Sequence, residues 1–301
     1  MKHYRTELVL AMVLSLPLLA GSPVAFAHAP ATGTTTATAP TANVQPDADD
    51  AQRVIVLQGA WNARSLAGLR GSHGPVPANA FVRTADLGQV TNADRDALAA
   101  AGVTLDIDLR TADEEAHSPD LLATDPRFAY QRISLMGTER MDLQQMLMAF
   151  PDTLGAAYVQ WMDHNQSQFK QVFQRIAAQR DGTVLFHCSA GKDRTGVITA
   201  LLLDLAGISR ADITHNYAIS AHYLEGQPKD AAMNAQIMEL IKQHPEVGGK
   251  MAGLTGTAPE NMEMFLSTLH QQYGGAEGYL KAIGVSAAEI AQLKLRLGQA
   301  G

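Results

Sequence analysis

One cysteine, Cys188, stands in a chain of 301 residues, so no intramolecular disulfide can staple the fold and no cysteine is placed near the N-terminus to carry a lipid. The net charge is −7, which leaves no global basic field to draw the chain to nucleic acid; any anion site has to be local. Past the N-terminal region no apolar run approaches the length needed to cross a bilayer, so no stable membrane insertion is expected. The ten histidines show no metal-ligand spacing, and no Gly-x-Gly-x-x-Gly occupies a strand-to-helix turn. Metal hydrolysis, electron transfer and nucleotide binding therefore find no support, and neither metal nor cofactor is expected.

The N-terminus has the composition of an export signal. Lys2, His3 and Arg5 make a positive start, Leu8 to Ala20 is a short apolar stretch, and Ala25-Phe26-Ala27 is a small-x-small cleavage pattern. Residues 1–27 are thus expected to be removed near Ala27, leaving a periplasmic or secreted protein; a retained anchor is the alternative, and the short apolar stretch argues against it. Residues 28–50 are rich in Ala, Thr and Pro, with too few large apolar groups to form a core, and are expected to be a flexible leader. The folded domain is expected to span 51–301. A lone thiol in an oxidising compartment suits a nucleophile that must stay reduced, and suits equally a protein that needs no staple.

The informative stretch runs from His187 to Gly196, His-Cys-Ser-Ala-Gly-Lys-Asp-Arg-Thr-Gly. Gly182 to Phe186 before it reads as a buried strand, and Val197 to Ala206 after it as a buried helix stopped by Gly207. A strand that breaks into a glycine-containing loop and then a helix turns several amides into one hollow at the positive end of the helix dipole, which favours a dianion. The amides of Ser189, Ala190 and Gly191 supply the cradle. Cys188 opens the loop, where these amides and a nearby guanidinium favour thiolate over thiol. Arg194 can return across the loop with a planar fork that matches two phosphoryl oxygens, and the Thr195 hydroxyl can reach the sulfur as it leaves. Phosphoryl transfer asks mainly for positioning and charge stabilisation, and this set supplies both. The plain alternative, a small core cysteine beside solvated loop charges, does not account for the agreement of spacing, glycine, strand and helix.

The Cys-x5-Arg spacing resembles that of cysteine-dependent phosphatases, and the longer His-Cys-x-x-Gly-Lys-Asp-Arg-Thr-Gly is similar to the atypical bacterial tyrosine phosphatases that include secreted tyrosine and phosphoinositide phosphatases. Asn62 to Ser65, Arg83-Thr84, and Asp108-Leu109-Arg110 with Glu114 resemble further segments of that family, in the right order, and extend the likeness over 54–224. The resemblance implies Asp193, inside the loop, as general acid, since no Trp-Pro-Asp segment is present; Asp152 and Asp108 stand second and third. Lys192, beside the pocket, would offer a second phosphate a partner and admit phosphoinositides; a surface lysine is the alternative. Arg83 and Arg110 fall at strand ends and are expected to contact substrate, although Asp108 and Arg110 equally suit a structural ion pair. His187 most simply holds the loop by hydrogen bonds. The expected function is an exported cysteine-dependent phosphatase acting on phosphotyrosine proteins and on phosphoinositides through a phosphocysteine; the alternatives are an inositol-polyphosphate phosphatase and a non-catalytic phosphate-binding module.

The remaining pattern predicts an α/β domain: a central, mostly parallel sheet flanked by helices, as in cysteine phosphatases, followed by a helical C-terminal part. Strands are expected at Val54–Leu57, Phe81–Ala85, Val103–Leu109 and Phe128–Leu135. Helices are expected at Asn92–Ala101, Leu154–Ala178, Ser209–Leu224, Ala231–Lys242, Pro259–Tyr273, Ala276–Ile283 and Ser286–Leu297, with capping boxes at Thr257/Glu260 and Ser286/Glu289. The methionine-rich stretch from Met136 to Met148 reads as adaptable core, and alternatively Thr138 to Phe150 as a lid over the pocket.

Overall fold

The computed structural model describes residues 44–136, 151–227, 238–239, 241–243 and 256–299. The segments expected to be a signal peptide and most of a leader, the stretch from Thr138 to Phe150 offered as a lid, and most of the helix expected at Ala231–Lys242 lie outside the described residues.

Chain order is α1 (Ala48–Arg53), β1 (Arg64–Ser65), β2 (Arg70–Gly71), β3 (Gly74–Pro75), β4 (Phe81–Thr84), α2 (Asn92–Ala100), β5 (Val103–Asp108), α3 (Ala112–His117), β6 (Ala129–Arg132), α4 (Leu154–His164), α5 (Gln166–Ala178) and β7 (Thr183–His187). There follow α6 (Asp193–Leu205), α7 (Arg210–Ala218), α8 (Ser220–Tyr223), α9 (Pro259–Tyr273), α10 (Ala276–Ala282) and α11 (Ala287–Arg296). The main sheet has the order β1-β4-β7-β5-β6, parallel throughout except for the antiparallel edge strand β1.

β7 lies at the centre and is buried along its whole length. Its Thr-Val-Leu-Phe-His sequence has no simple polar alternation because both faces of the sheet are covered. Val184 and Phe186 point into the larger core, with α4, α5, α6 and the C-terminal helices, while Leu185 points into the smaller one, with Leu98 of α2 and Val82 of β4. Helix α6 is buried nearly all round, from Asp193 to Leu205, because α7 and α10 pack on the side the sheet does not. Together these contacts fix where β7 ends and α6 begins, and hence the loop between them.

Several expectations are corrected. The fold does not begin at Ala51: Asp47 caps α1 in a capping box, and Asp50, buried, accepts from Arg53 and lies 2.6 Å from His215 Nε2. The last residues of the supposed leader are thereby tied to α7. Only Val54 of the strand expected at Val54–Leu57 pairs, in a single bridge to Arg64. The chain then turns away, with the Gln58 and Gly59 amides donating to Asp94. The helix expected at Leu154–Ala178 is two helices sharing Asn165 as C-cap and N-cap, and the one expected at Ser209–Leu224 pauses at Ile219. Ser286 and Glu289 form their capping box, but Thr257 and Glu260 do not; Pro259 takes N1, and the Thr257 hydroxyl donates to the Ala218 carbonyl instead.

Candidate active site

The parallel strands end on one side of the sheet, and there β7 passes into the loop Cys188–Lys192 and on into α6. Gly191 makes the turn possible. Its φ is +63°, and a Cβ at this position would stand 2.2 Å from the Thr84 carbonyl oxygen, so neither the conformation nor the space admits a side chain. Lys192, the N-cap of α6, makes no side-chain cap. Among the described residues the amides from Ser189 to Thr195 meet no backbone or side-chain acceptor, which leaves them for an anion.

The loop's carbonyls are taken up from behind. Asn62 Nδ2 donates to the carbonyls of Ala190 and Gly191 at 3.1 and 3.0 Å, and Arg83 Nη2 donates to Gly191 at 2.7 Å. Asn62 reaches them from a left-handed conformation, φ 58°, a region that asparagine tolerates better than most residues. Arg64 donates to the carbonyl and side-chain oxygen of Asn62 and, at 2.7 Å, to the Asn216 carbonyl, while Arg83 Nη1 donates to Asn216 Oδ1 at 2.8 Å. With carbonyls held outward, the amides face the other way. Arg83 was expected to touch substrate; it is completely buried and braces the loop instead.

Cys188 is 2 % exposed at the end of β7. Burial lowers the Arg83 pKa to about 10, against the opposing pull of the Cys188 and Asp193 charges. Burial acts the same way on Arg194, but Glu114 and Cys188 more than reverse it and hold Arg194 above the usual arginine value. The sulfur thus sits within the electrostatic reach of both guanidiniums. Arg194 itself is clamped: Nη1 and Nη2 donate to the two Glu114 oxygens at 2.7 Å each, and Ser189 Oγ donates to the same carboxylate. Glu114 in turn is fixed by its place in the α3 capping box with Thr111. The Thr195 hydroxyl is buried and has no hydrogen-bond partner among the described residues.

Asp193, first residue of α6, accepts from the Tyr158 hydroxyl of α4 and lies 3.0 Å from Lys192 Nζ, both at Oδ1. Burial and the Asp193 charge raise the Tyr158 pKa well above its usual value, so its proton stays in place to be donated; Tyr217 lies 2.8 Å behind it. Lys192 was expected at the pocket rim for a second phosphate. Its ammonium is 1 % exposed and donates to the Gly256 carbonyl at 2.8 Å.

Arg110 is likewise turned inward. It donates to both Asp108 oxygens, to Asp86 and to the Ser118 carbonyl, and the geometry is that of the structural ion pair. Asp108 is saturated by Arg110 and the Tyr130 hydroxyl; burial alone would raise its pKa, yet His187 and Arg110 hold it at about 2, so it has no proton to give. Asp152 is exposed at the start of α4. His187 is fully buried, with Nδ1 3.3 Å from the Cys188 carbonyl and Nε2 2.9 Å from Asp120; burial is outweighed by Asp108, Asp106 and Asp120, which push its pKa up to about 10.

The site therefore includes Asn62, Arg64, Glu114, Tyr158, Asn216 and Tyr217, none of which the sequence reading assigned a role at the loop. Asn62, Arg64 and Glu114 carried a signal, since all three lie in the segments that resemble the family. Tyr158 and Tyr217 fall inside the helices expected at Leu154–Ala178 and Ser209–Leu224, where nothing in the sequence marks their hydroxyls.

A central parallel strand that ends in His-Cys-x5-Arg and runs straight into a buried helix defines the class of cysteine-dependent phosphatases, which are phosphoric monoester hydrolases. The chain belongs to the tyrosine phosphatase family, whose sequence profile matches residues 55–299. It is 59 % identical over 307 residues to a tyrosine-protein phosphatase of Nostoc commune, covering 100 % of both chains. With the triple specificity protein phosphatase PtpB of Mycobacterium tuberculosis it shares 28 % identity over 277 residues, covering 79 % of this chain and 96 % of that one. Among solved structures it matches P. aeruginosa TpbA at a TM-score of 0.27 and 14 % identity, covering 65 % of this chain and 97 % of that one.

Proposed function

We propose that the protein is an exported phosphatase that hydrolyses phosphotyrosine in proteins through a phosphocysteine on Cys188. The observation that carries this reading is that Cys188 opens, and Arg194 closes, one loop whose amides meet no other acceptor among the described residues, with the Arg194 fork already fixed by Glu114. The Cys188 sulfur attacks phosphorus, the P–O ester bond breaks, and the leaving oxygen takes a proton from the Asp193 carboxyl. Water then attacks the phosphocysteine, Asp193 takes back a proton, and the thiolate leaves with release of phosphate. Tyr158 donates to Asp193 Oδ1 and Lys192 Nζ lies 3.0 Å from the same oxygen, which leaves Oδ2 to carry the transferred proton. Export rests on the N-terminal sequence from Lys2 to Ala27.

Phosphotyrosine stands ahead of phosphoinositides and inositol polyphosphates for a physical reason. A second phosphate needs free cations at the rim, and Lys192, Arg83 and Arg110 are all buried and bonded to protein groups. Comparing turnover of a phosphotyrosine peptide, a phosphoinositide in mixed micelles and inositol hexakisphosphate tests that order. Asp193→Asn should slow aryl phosphates with poor leaving groups far more than those with good ones; equal slowing of both would remove Asp193 as the acid. A wild-type protein that binds phosphate but never turns over p-nitrophenyl phosphate would make the loop a binding module only.

A further inference from the structure

Behind the active-site loop lies a group of buried side chains that the proposed chemistry does not use. Asp106 of β5, Asp120 in the segment after α3, and His187 at the end of β7 each direct one ligand atom to a common point, with these atoms within 4.8 Å of one another. All three residues are at most 3 % exposed. Among the described residues both oxygens of Asp106 form no hydrogen bond, and Oδ2 of Asp120 and Nε2 of His187 face only each other, 2.9 Å apart. The guanidinium nearby, Arg110, is committed to Asp108 and Asp86 and comes no nearer to Asp120 than 3.8 Å.

A buried carboxylate with neither oxygen paired is among the costliest groups a fold can hold. A proton bridges at most two of these atoms; a metal ion bridges all of them. His187 Nε2 lies 2.9 Å from Asp120 Oδ2 and 3.6 Å from Asp106 Oδ1. Ligands about 2.0 Å from a tetrahedral zinc ion stand about 3.3 Å apart, between those two separations. The other ring nitrogen, Nδ1, lies 3.3 Å from the Cys188 carbonyl, the backing that metal-bound histidines commonly have and the one that leaves Nε2 free to ligate. A fourth oxygen, Asp108 Oδ1, is 3.7 Å from Nε2. The other three-residue group of this kind, Asp47, Asp50 and His215, has its oxygens already taken by Arg53, His215 and backbone amides.

We infer that Asp106, Asp120 and His187 form a site for a divalent transition-metal ion of the zinc type, which fastens β5, β7 and the segment after α3 together directly beneath Cys188. The site is structural and independent of the phosphatase mechanism. Its ligands come from three separate segments, with His187 standing 81 positions after Asp106, which is why the spacing of histidines in the sequence gives no sign of it.

The test uses full-length wild-type protein stripped with chelator, with Co2+ and Zn2+ as the probes. One equivalent of Co2+ should give the strong visible absorption of a tetrahedral nitrogen and oxygen site without a thiolate-to-metal charge-transfer band, and Zn2+ should displace it and raise the melting temperature. Asp106→Asn and Asp120→Asn should each lose the Co2+ spectrum while retaining a folded near-ultraviolet circular dichroism signal. If either variant fails to fold, the wild-type spectrum decides. Absence of metal uptake by the wild type, a charge-transfer band that assigns the metal to Cys188, or a Co2+ spectrum unchanged in the folded variants would overturn the site.

Discussion

Replacing Glu114 by Gln tests the arginine clamp with the smallest change of shape. In the native protein the Glu114 carboxylate takes two hydrogen bonds of 2.7 Å from Arg194, and both side chains are 2 % exposed. The amide keeps one acceptor oxygen but turns an NH2 group toward the guanidinium and removes the charge that balances it. Breaking one side of a buried ion pair costs about 3–5 kcal/mol, and the retained oxygen puts Glu114→Gln near the lower end, about 3 kcal/mol, measured by urea denaturation. Arg194 then loses its fixed fork, and the loss of one well-placed oxyanion donor lowers kcat by about 10²–10³-fold. Because the fork holds the equatorial oxygens most tightly as the phosphoryl group transfers, kcat should fall more than KM changes.

The pH dependence has a definite sign. Burial would raise the Glu114 pKa, but Arg194 and Ser189 hold it below the usual value. A depressed folded pKa contributes stability that is complete above the unfolded value of about 4.3 and disappears as pH falls through the lower folded value. The variant should lack that portion of the acid limb. A kcat within about threefold of wild type, under about 0.7 kcal/mol in barrier, would refute the claim that Glu114 positions Arg194 for catalysis.

Gly191→Ala, which forces a methyl group into the Thr84 carbonyl from φ +63°, should cost at least about 2 kcal/mol in denaturant unfolding and most of the activity; a stable, active variant would show that the loop has another conformation. Asp50→Asn removes the buried acceptor shared by His215 and Arg53 and should destabilise by about 1–3 kcal/mol near neutral pH. Burial opposes, but His215 and Arg53 hold the Asp50 pKa below its usual value. The loss should therefore vanish as pH drops well below about 3.9, and a pH-independent difference would remove the ion pair as its cause. Arg83→Met withdraws a buried cation whose charge is felt at Cys188, so iodoacetamide should alkylate Cys188 more slowly at neutral pH; an unchanged rate would confine Arg83 to bracing the loop.

The loop was legible because everything that makes it is contiguous: a β-branched strand, Cys188, a glycine that only a left-handed turn requires, and an apolar helix. The parallel character of the sheet followed from helices interposed between strands. The direction of the basic side chains was not legible. Arg83 and Arg110 stand at carboxyl ends of parallel strands, where ligands bind, but whether such a side chain turns toward ligand or into the protein depends on residues far along the chain. For Arg83 it is Asn216, 133 residues on; for Arg110 the pairing with Asp108 was one of two open readings, and Asp86 helps decide it. Lys192 fails for the same reason, its partner carbonyl being Gly256. Tyr158 carries the helical spacing of a core residue, and its ring is core; only the hydroxyl does something else, and spacing says nothing of a hydroxyl.

Four arginines are at most 2 % exposed around this loop, and they divide by what neutralises them. Arg110 and Arg194 face carboxylates, and their charges are compensated within the fold. Arg64 and Arg83 do not: they donate to carbonyls, amide oxygens and a serine hydroxyl. Burial and their mutual repulsion lower the Arg64 pKa, and burial that of Arg83, as expected for cations that lack an anionic partner. A fold accepts that cost when something else supplies the negative charge. Near Arg83 lie Cys188 and Asp193, which oppose part of that cost, and the next group to arrive would be the phosphoryl group in the amide cradle. The carbonyl-bracing arginines thus act in two ways at once: they turn the loop amides inward, and they keep a positive potential beneath the loop that a carboxylate partner would have cancelled.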